Sequence, residues 1–229
     1  SEMCIRARYH AGETNDLRYF LNTLHKAPDA AENSGPIVAV GYSLGGNVLL
    51  KYLGESGDET PLRAATAVCV PLDLHECAKA LDQGFSRLYQ RYLLKRMKRA
   101  VTRKFDRHTA AFDWDKAMSA HTFAEFDDSV TAPLHGFRNM EDYYDRCSSV
   151  HFLTGIERPT LIINALDDPF MTRDVIPEND RLSESVTLEV ATSGGHVGFV
   201  DGGTPWRPSF YLPGRIVGFL EPQVAIPGM

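Results

Sequence analysis

Apolar residues along this chain gather in short uninterrupted runs that alternate with longer stretches of helical periodicity. Ile37-Val38-Ala39-Val40 opens the first run, Arg63 to Val70 forms the second, Pro159 to Asn164 the third and Val186 to Ala191 the fourth. Runs of this length bounded by turn residues read as strands buried on both faces. Between them, residues 13–27 place Leu17, Phe20, Leu21 and Leu24 on one helix face, with Lys26 near the end and Pro28 as the stop. Residues 28–35 form a polar turn, and 45–54 carry Val48, Leu49, Leu50, Tyr52 and Leu53 at the spacing of a buried helix. A short helix near 173–182, a Gly-rich loop over 193–203 and a last helix near 209–221 complete the reading. From 72 to 158 the pattern is helical and charged, without a convincing strand. This alternation predicts an α/β fold: a mostly parallel sheet with helices on both faces. The organisation is a first core segment at 1–71, a helical cap insertion at 72–158 and a second core segment at 159–229.

The first run ends in Gly41-Tyr42-Ser43-Leu44-Gly45-Gly46, a G-x-S-x-G match set between a strand and a helix. That corner exposes a serine hydroxyl and holds backbone N–H groups beside it, the arrangement of a hydrolase nucleophile elbow. The flanking glycines leave room for close strand–helix approach and for a strained backbone at the serine. Serine is a weak nucleophile until a base removes its proton, so an acid and a histidine must follow in that order, each on a loop after a strand. The third strand runs into Ala165-Leu166-Asp167-Asp168-Pro169-Phe170, and the fourth into Thr192-Ser193-Gly194-Gly195-His196. His196 is the base candidate, because its glycine-flanked loop can swing over the elbow. His10, His25, His75, His108, His121, His135 and His151 lie in helical or lid-like segments, where surface or core roles are the default. Of the two acids, Asp168 stands at the bend of its loop and is favoured to orient His196. Asp167 suits a bond to the loop backbone, as Asx turns make. His108 and Asp113 also match an H-x4-D acyltransferase spacing, a match expected by chance in a chain with eight histidines.

Composition narrows the function further. The 229 residues are 43% hydrophobic and 24% charged, an ordinary globular balance, and the net charge of −6 argues against general nucleic-acid binding. Cys4, Cys69, Cys77 and Cys147 form no C-x-x-C pair and share no zinc-ligand spacing with histidine; Cys69 reads as a small core residue. No phosphate-cradling loop, dinucleotide fingerprint or metal box is present, so the site needs no cofactor and no metal. Without a leader or an apolar span of membrane length, the expectation is a cytoplasmic chain. Charge is nonetheless uneven. Residues 85–107 hold nine Lys/Arg against Asp106 alone, with Phe85, Leu88, Tyr89, Tyr92, Leu93, Met97, Val101 and Phe105 as the apolar stripe. A solvated basic face whose stripe packs on the body is the favoured reading; peripheral contact with an anionic membrane is the other.

Five stretches stand in order along the chain: Tyr9 to Thr14, GYSLGGNVLLKYLGE, Phe126 to Phe137, Ile163 to Phe170 and Gly194 to Phe199. Through them the chain resembles the YheT-like branch of the α/β-hydrolases. The resemblance implies an α/β-hydrolase fold with Ser43 as nucleophile, Asp168 as acid and His196 as base. It implies hydrolysis of carboxylic esters, of lipid or short-chain acyl type, through an acyl-enzyme; the head group and the oligomeric state do not transfer.

One departure from the family pattern stands at the front. The elbow of this fold follows the fifth strand, yet only 42 residues precede Ser43, and they supply one helix and no clear strand. The expectation is an N-terminally truncated member. Leu44 N–H would supply one oxyanion donor, while the second, from a loop near the third strand, would be lacking; one such donor is worth ~3 kcal/mol of transition-state stabilisation. The strand at 37–41 would also become an open edge. Two readings therefore coexist: an active serine esterase, or a catalytically impaired hydrolase body. A peptidase or thioesterase on the same fold is a minor third.

Overall fold

The computed structural model describes residues 10–26, 35–204 and 206–225. Tyr9, Cys4, Pro28 and nearly all of the 28–35 turn lie outside the described residues. The four apolar runs form strands β1 (Ile37–Tyr42), β2 (Leu62–Val68), β3 (Thr160–Ala165) and β4 (Val186–Ala191). They pair in parallel in the order β1-β2-β3-β4. Every residue of β3 is buried, as is all of β2 except Arg63, which is what an apolar run without alternation requires. Each fully buried Leu, Ile or Val there contributes ~1.5–3 kcal/mol. By contrast β1 pairs only with β2 among the described residues, and its Val40 and Tyr42 are exposed.

Helix α1 (Asn15–His25) departs from its expected face. Leu21 is buried and Leu17 packs beside it, but Phe20 and Leu24 are exposed, because the helix lies against α2 (Leu44–Ser56) along one side. The helix expected near 173–182 is instead two isolated 3-10 turns, Arg173–Val175 and Asn179–Arg181. Pro177 lies between them, and Ile176 before it is extended (φ −78°, ψ 116°), so neither turn can propagate into the other. The Gly-rich loop also hides structure. Its end is strand β5 (Val200–Thr204), paired antiparallel with β6 (Arg207–Phe210), and all described residues of both are exposed. With no buried face the hairpin has no hydrophobic alternation to betray it.

Between β2 and β3 the chain holds helices and no strand: α3 (Leu74–Leu81), α4 (Ser86–Lys104), α5 (Trp114–Ser119), α6 (Phe123–Phe126), a π-helical turn Asp127–Thr131, α7 (Ala132–His135) and α8 (Met140–Cys147). After the hairpin, α9 (Tyr211–Val224) adds Leu212, Ile216 and Leu220 to the main core. Only the second half of the expected stripe, Met97, Val101 and Phe105, packs inward on α4. Its buried residues are Ser86, Gln90, Leu94 and Val101, whereas Phe85 is 79% and Tyr92 56% exposed. Gln90 turns the helix this way. Its amide donates to the Leu81 carbonyl (3.2 Å) and Asp82 (2.8 Å) and accepts the Phe123 N–H (2.8 Å). A polar side chain with three partners outweighs the apolar periodicity of the first two turns.

The stretch before α1 fastens onto α8 and α2. Ala11 N–H donates to the Tyr143 hydroxyl (2.9 Å), and the Thr14 hydroxyl donates to Glu55 (2.6 Å). His10 Nδ1 accepts the Gly12 N–H at 3.1 Å, which only an imidazole unprotonated at that nitrogen can do. Burial, then the charges of Lys51 and Arg146, lower the His10 pKa to about 4. A histidine depressed in the fold contributes stability that is complete above about 6.5, its ordinary value, and is lost as pH falls toward about 4. His10→Asn, whose amide oxygen can accept the same N–H, is expected to flatten the fall in urea-unfolding stability across that window by ~1–3 kcal/mol.

Candidate active site

Ser43 sits where β1 turns into α2, with φ 51° and ψ −125°, a strained conformation for a residue with a side chain. Its N–H donates to the Val68 carbonyl (2.8 Å), and its carbonyl accepts from Gly46 (2.9 Å) and Asn47 (3.2 Å). Two glycines make the corner possible. A Cβ on Gly41 would lie 2.7 Å from the Gly46 Cα, and one on Gly46 would lie 2.6 Å from Val70 Cγ2. Leu44 is the first residue of α2, whose N–H has no intrahelical acceptor and stands at the positive end of the helix dipole.

Two further loops, one after β3 and one after β4, converge on that serine. His196 Nε2 lies 3.1 Å from Ser43 Oγ, and His196 Nδ1 lies 2.7 Å from Asp168 Oδ2. Asp168 is 4% exposed, and its other oxygen accepts the Phe170 N–H (2.9 Å). A carboxylate at Nδ1 holds the proton there, so the Nε2 lone pair faces the serine hydroxyl. The neighbouring acid has a different task. Asp167 Oδ1 accepts the N–H groups of both Gly194 and Gly195 at 2.8 Å, fixing the loop that carries His196. The two acids therefore face different partners, one the imidazole and one the loop backbone. His108 and Asp113, the chance H-x4-D pair, serve turns: His108 N–H bonds Asp106, and Asp113 caps α5.

Several supporting residues escaped the sequence reading. Phe170 meets the His196 ring edge-on, with centroids 4.5 Å apart. Asn47, one turn beyond Ser43, is fully buried and bonds the carbonyls of Ala11 (2.9 Å) and Cys147 (2.8 Å) and the N–H of Ser149 (2.9 Å). Asn164 pairs both ways with the Val70 backbone, at 3.1 and 3.2 Å. A polar amide inside an otherwise buried helix or strand was the signal available for both. Cys69 has φ 50°, and its sulfur accepts the Val197 N–H (3.4 Å). Cys69, Asp168 and His196 bring three donor atoms within 4.8 Å of one another. Burial pushes the Cys69 thiol up to about 12, and the other two groups are spent on each other, so this donor set suits a metal poorly.

Residues 6–203 match the family described as the alpha/beta hydrolase fold. The chain belongs to that family. Among α/β-hydrolases it is 42% identical over 214 residues to the candidate esterase YheT of Escherichia coli (strain K12), covering 93% of this chain and 62% of that protein. The YheT-like resemblance read from five ordered motifs is thereby met. It is 31% identical over 218 residues to the human phospholipase ABHD3 (94% of this chain, 52% of the relative). It is 33% identical over 199 residues to the monoacylglycerol lipase of Saccharomyces cerevisiae (83% and 43%). The chain thus spans about half the length of the curated relatives it matches. Among solved structures, the Pyrococcus furiosus esterase Pf2001 superposes with a TM-score of 0.53 at 15% identity, over 93% of this chain and 62% of that one. At that identity the likeness bears on the fold alone. Relatives named as esterase, phospholipase and lipase support a hydrolase.

Proposed function

We propose that this chain carries a serine carboxylic-ester hydrolase site, with Ser43 as nucleophile, His196 as general base and acid, Asp168 as its orienting acid and Leu44 N–H as an oxyanion donor. The single observation behind the proposal is the unbroken relay Ser43 Oγ–His196–Asp168 at 3.1 and 2.7 Å. His196 Nε2 takes the hydroxyl proton as Ser43 Oγ bonds to the acyl carbon, and the oxyanion forms beside the Leu44 N–H. Collapse of the tetrahedral adduct expels the alcohol, which leaves with the proton held on Nε2. Water then repeats the sequence on the acyl-serine and frees the acid. The substrate class is a small-molecule acyl ester, of lipid or short-chain type, and each proton transfer is served by a side chain already in place.

Among the described residues β1 pairs only with β2 and leaves Val40 and Tyr42 exposed, which motivates the second reading, a hydrolase body impaired in turnover. A p-nitrophenyl ester series from acetate to octanoate separates the two. The enzyme reading expects turnover at least ~100-fold above the same chain with His196→Ala, as general-base removal costs that or more. Equal rates for the two chains would favour the impaired body.

A further inference from the structure

We infer that α4 is a docking helix for an anionic phospholipid bilayer, placed so that a lipid ester leaving the membrane meets His196 and Ser43. The inference builds on the ester-hydrolase reading, and two observations carry it. The first is an aromatic row leading from solvent to the site. Phe85, Leu88, Tyr89 and Tyr92 recur at i, i+3, i+4 and i+7, so they share one face, and all four are exposed. Tyr92 lies 6.3 Å from Tyr89, Tyr89 lies 4.7 Å from Phe170, and Phe170 lies 4.5 Å from His196, ring centroid to centroid. The helix start is held against the acid loop by Ser86, whose hydroxyl donates to the Pro169 carbonyl. The apolar half of α4 is therefore fixed beside the candidate active site.

The second observation is the cationic half of the same helix. Beyond the aromatic row, Arg91, Lys95, Lys98 and Arg99 line a cavity of about 370 Å³ with Leu94 and His121. Lys98 is committed to the carbonyls of Met118 and Ala120. Among the described residues, Arg91, Lys95 and Arg99 pair with no carboxylate, and all three are exposed. Arg96 lies over the Tyr92 ring at 5.7 Å and joins the two halves. Aromatic and aliphatic residues exposed beside unpaired cations match the composition of an anionic bilayer surface, with acyl chains below and phosphates above. An α4 face that only solvated itself would have no use for four exposed apolar residues at its start.

The test uses the full chain carrying Ser43→Ala, so that binding is measured without hydrolysis, and sedimentation with phosphatidylcholine vesicles with and without phosphatidylglycerol. Binding to the anionic vesicles is expected to exceed binding to neutral ones by ~10-fold or more and to weaken with salt. Phe85→Ser with Leu88→Ser and Tyr92→Ser should lower it by ~10-fold or more, and Arg91→Gln with Lys95→Gln and Arg99→Gln should abolish the preference for anionic lipid. These side chains are exposed or line an open groove, so circular dichroism should stay unchanged. Equal binding to both vesicles, or an unaltered aromatic variant, would overturn the proposal. So would saturable capture of inorganic phosphate without vesicle binding, which marks a small-anion site. A dimer broken by the aromatic substitutions, with no vesicle binding, would assign the face to self-association instead. Vesicle binding by the Ser43→Ala chain together with no ester turnover by the unsubstituted chain would contradict the enzyme reading and leave the docking surface standing.

Discussion

Ser43→Ala is expected to lower ester turnover by ~10,000- to 1,000,000-fold, with little change in unfolding stability. The loss follows from chemistry, because without Oγ no acyl-serine forms and His196 has no proton to take. The small effect on stability follows from the site. Ser43 is held by its backbone, its N–H on Val68 and its carbonyl on Gly46 and Asn47, and none of these bonds involves the hydroxyl. Its unusual φ of 51° is set by the crossing of β1 and α2 at Gly41 and Gly46, which alanine does not disturb. Steady-state kinetics on a p-nitrophenyl ester, beside urea unfolding of the same preparation, reads both halves. A large loss of stability in step with the loss of rate would mean that the hydroxyl is structural.

The second large effect separates two adjacent carboxylates. Asp168→Asn is expected to lower kcat by ~10,000-fold with KM nearly unchanged. An amide at that position can present N–H to His196 Nδ1, which moves the imidazole proton to Nε2. Nε2 then donates toward Ser43 Oγ and can no longer accept from it. Asp167→Asn is the internal control. Its oxygen accepts two backbone N–H groups, from Gly194 and Gly195, and an amide oxygen accepts both as well. That variant should stay within ~10-fold of the parent, the cost of trading a charged acceptor for a neutral one.

Much of this site could be read before any geometry was known, and the reasons are local. The elbow is a short-range object, since strand, glycines, serine and helix lie within twenty residues and each demands its own residue type. Asp168 and His196 were legible because loops after parallel strands lead to one edge of the sheet, so order along the chain stands in for position in space. What stayed hidden depends on partners far away in sequence. The face of α4 is set by Gln90 bonding to Leu81, Asp82 and Phe123, which periodicity alone cannot anticipate. Likewise Phe20 and Leu24 are apolar at helical spacing, yet α1 buries only the side that α2 reaches. The hairpin at β5 and β6 has no buried side to give it a pattern, and Pro177 broke a helix whose composition otherwise favoured it. Asn47 and Asn164 act through backbone groups more than 30 residues distant, so their importance lies in the tertiary fold rather than in a motif.

The relay at Ser43 is tested most directly by labelling the chain with a fluorophosphonate and locating the adduct by peptide mass spectrometry. One adduct is expected, on the peptide that carries Ser43, absent from Ser43→Ala and formed far more slowly with His196→Ala. Undiminished labelling of Ser43→Ala, or an adduct on any other serine, would contradict the assignment.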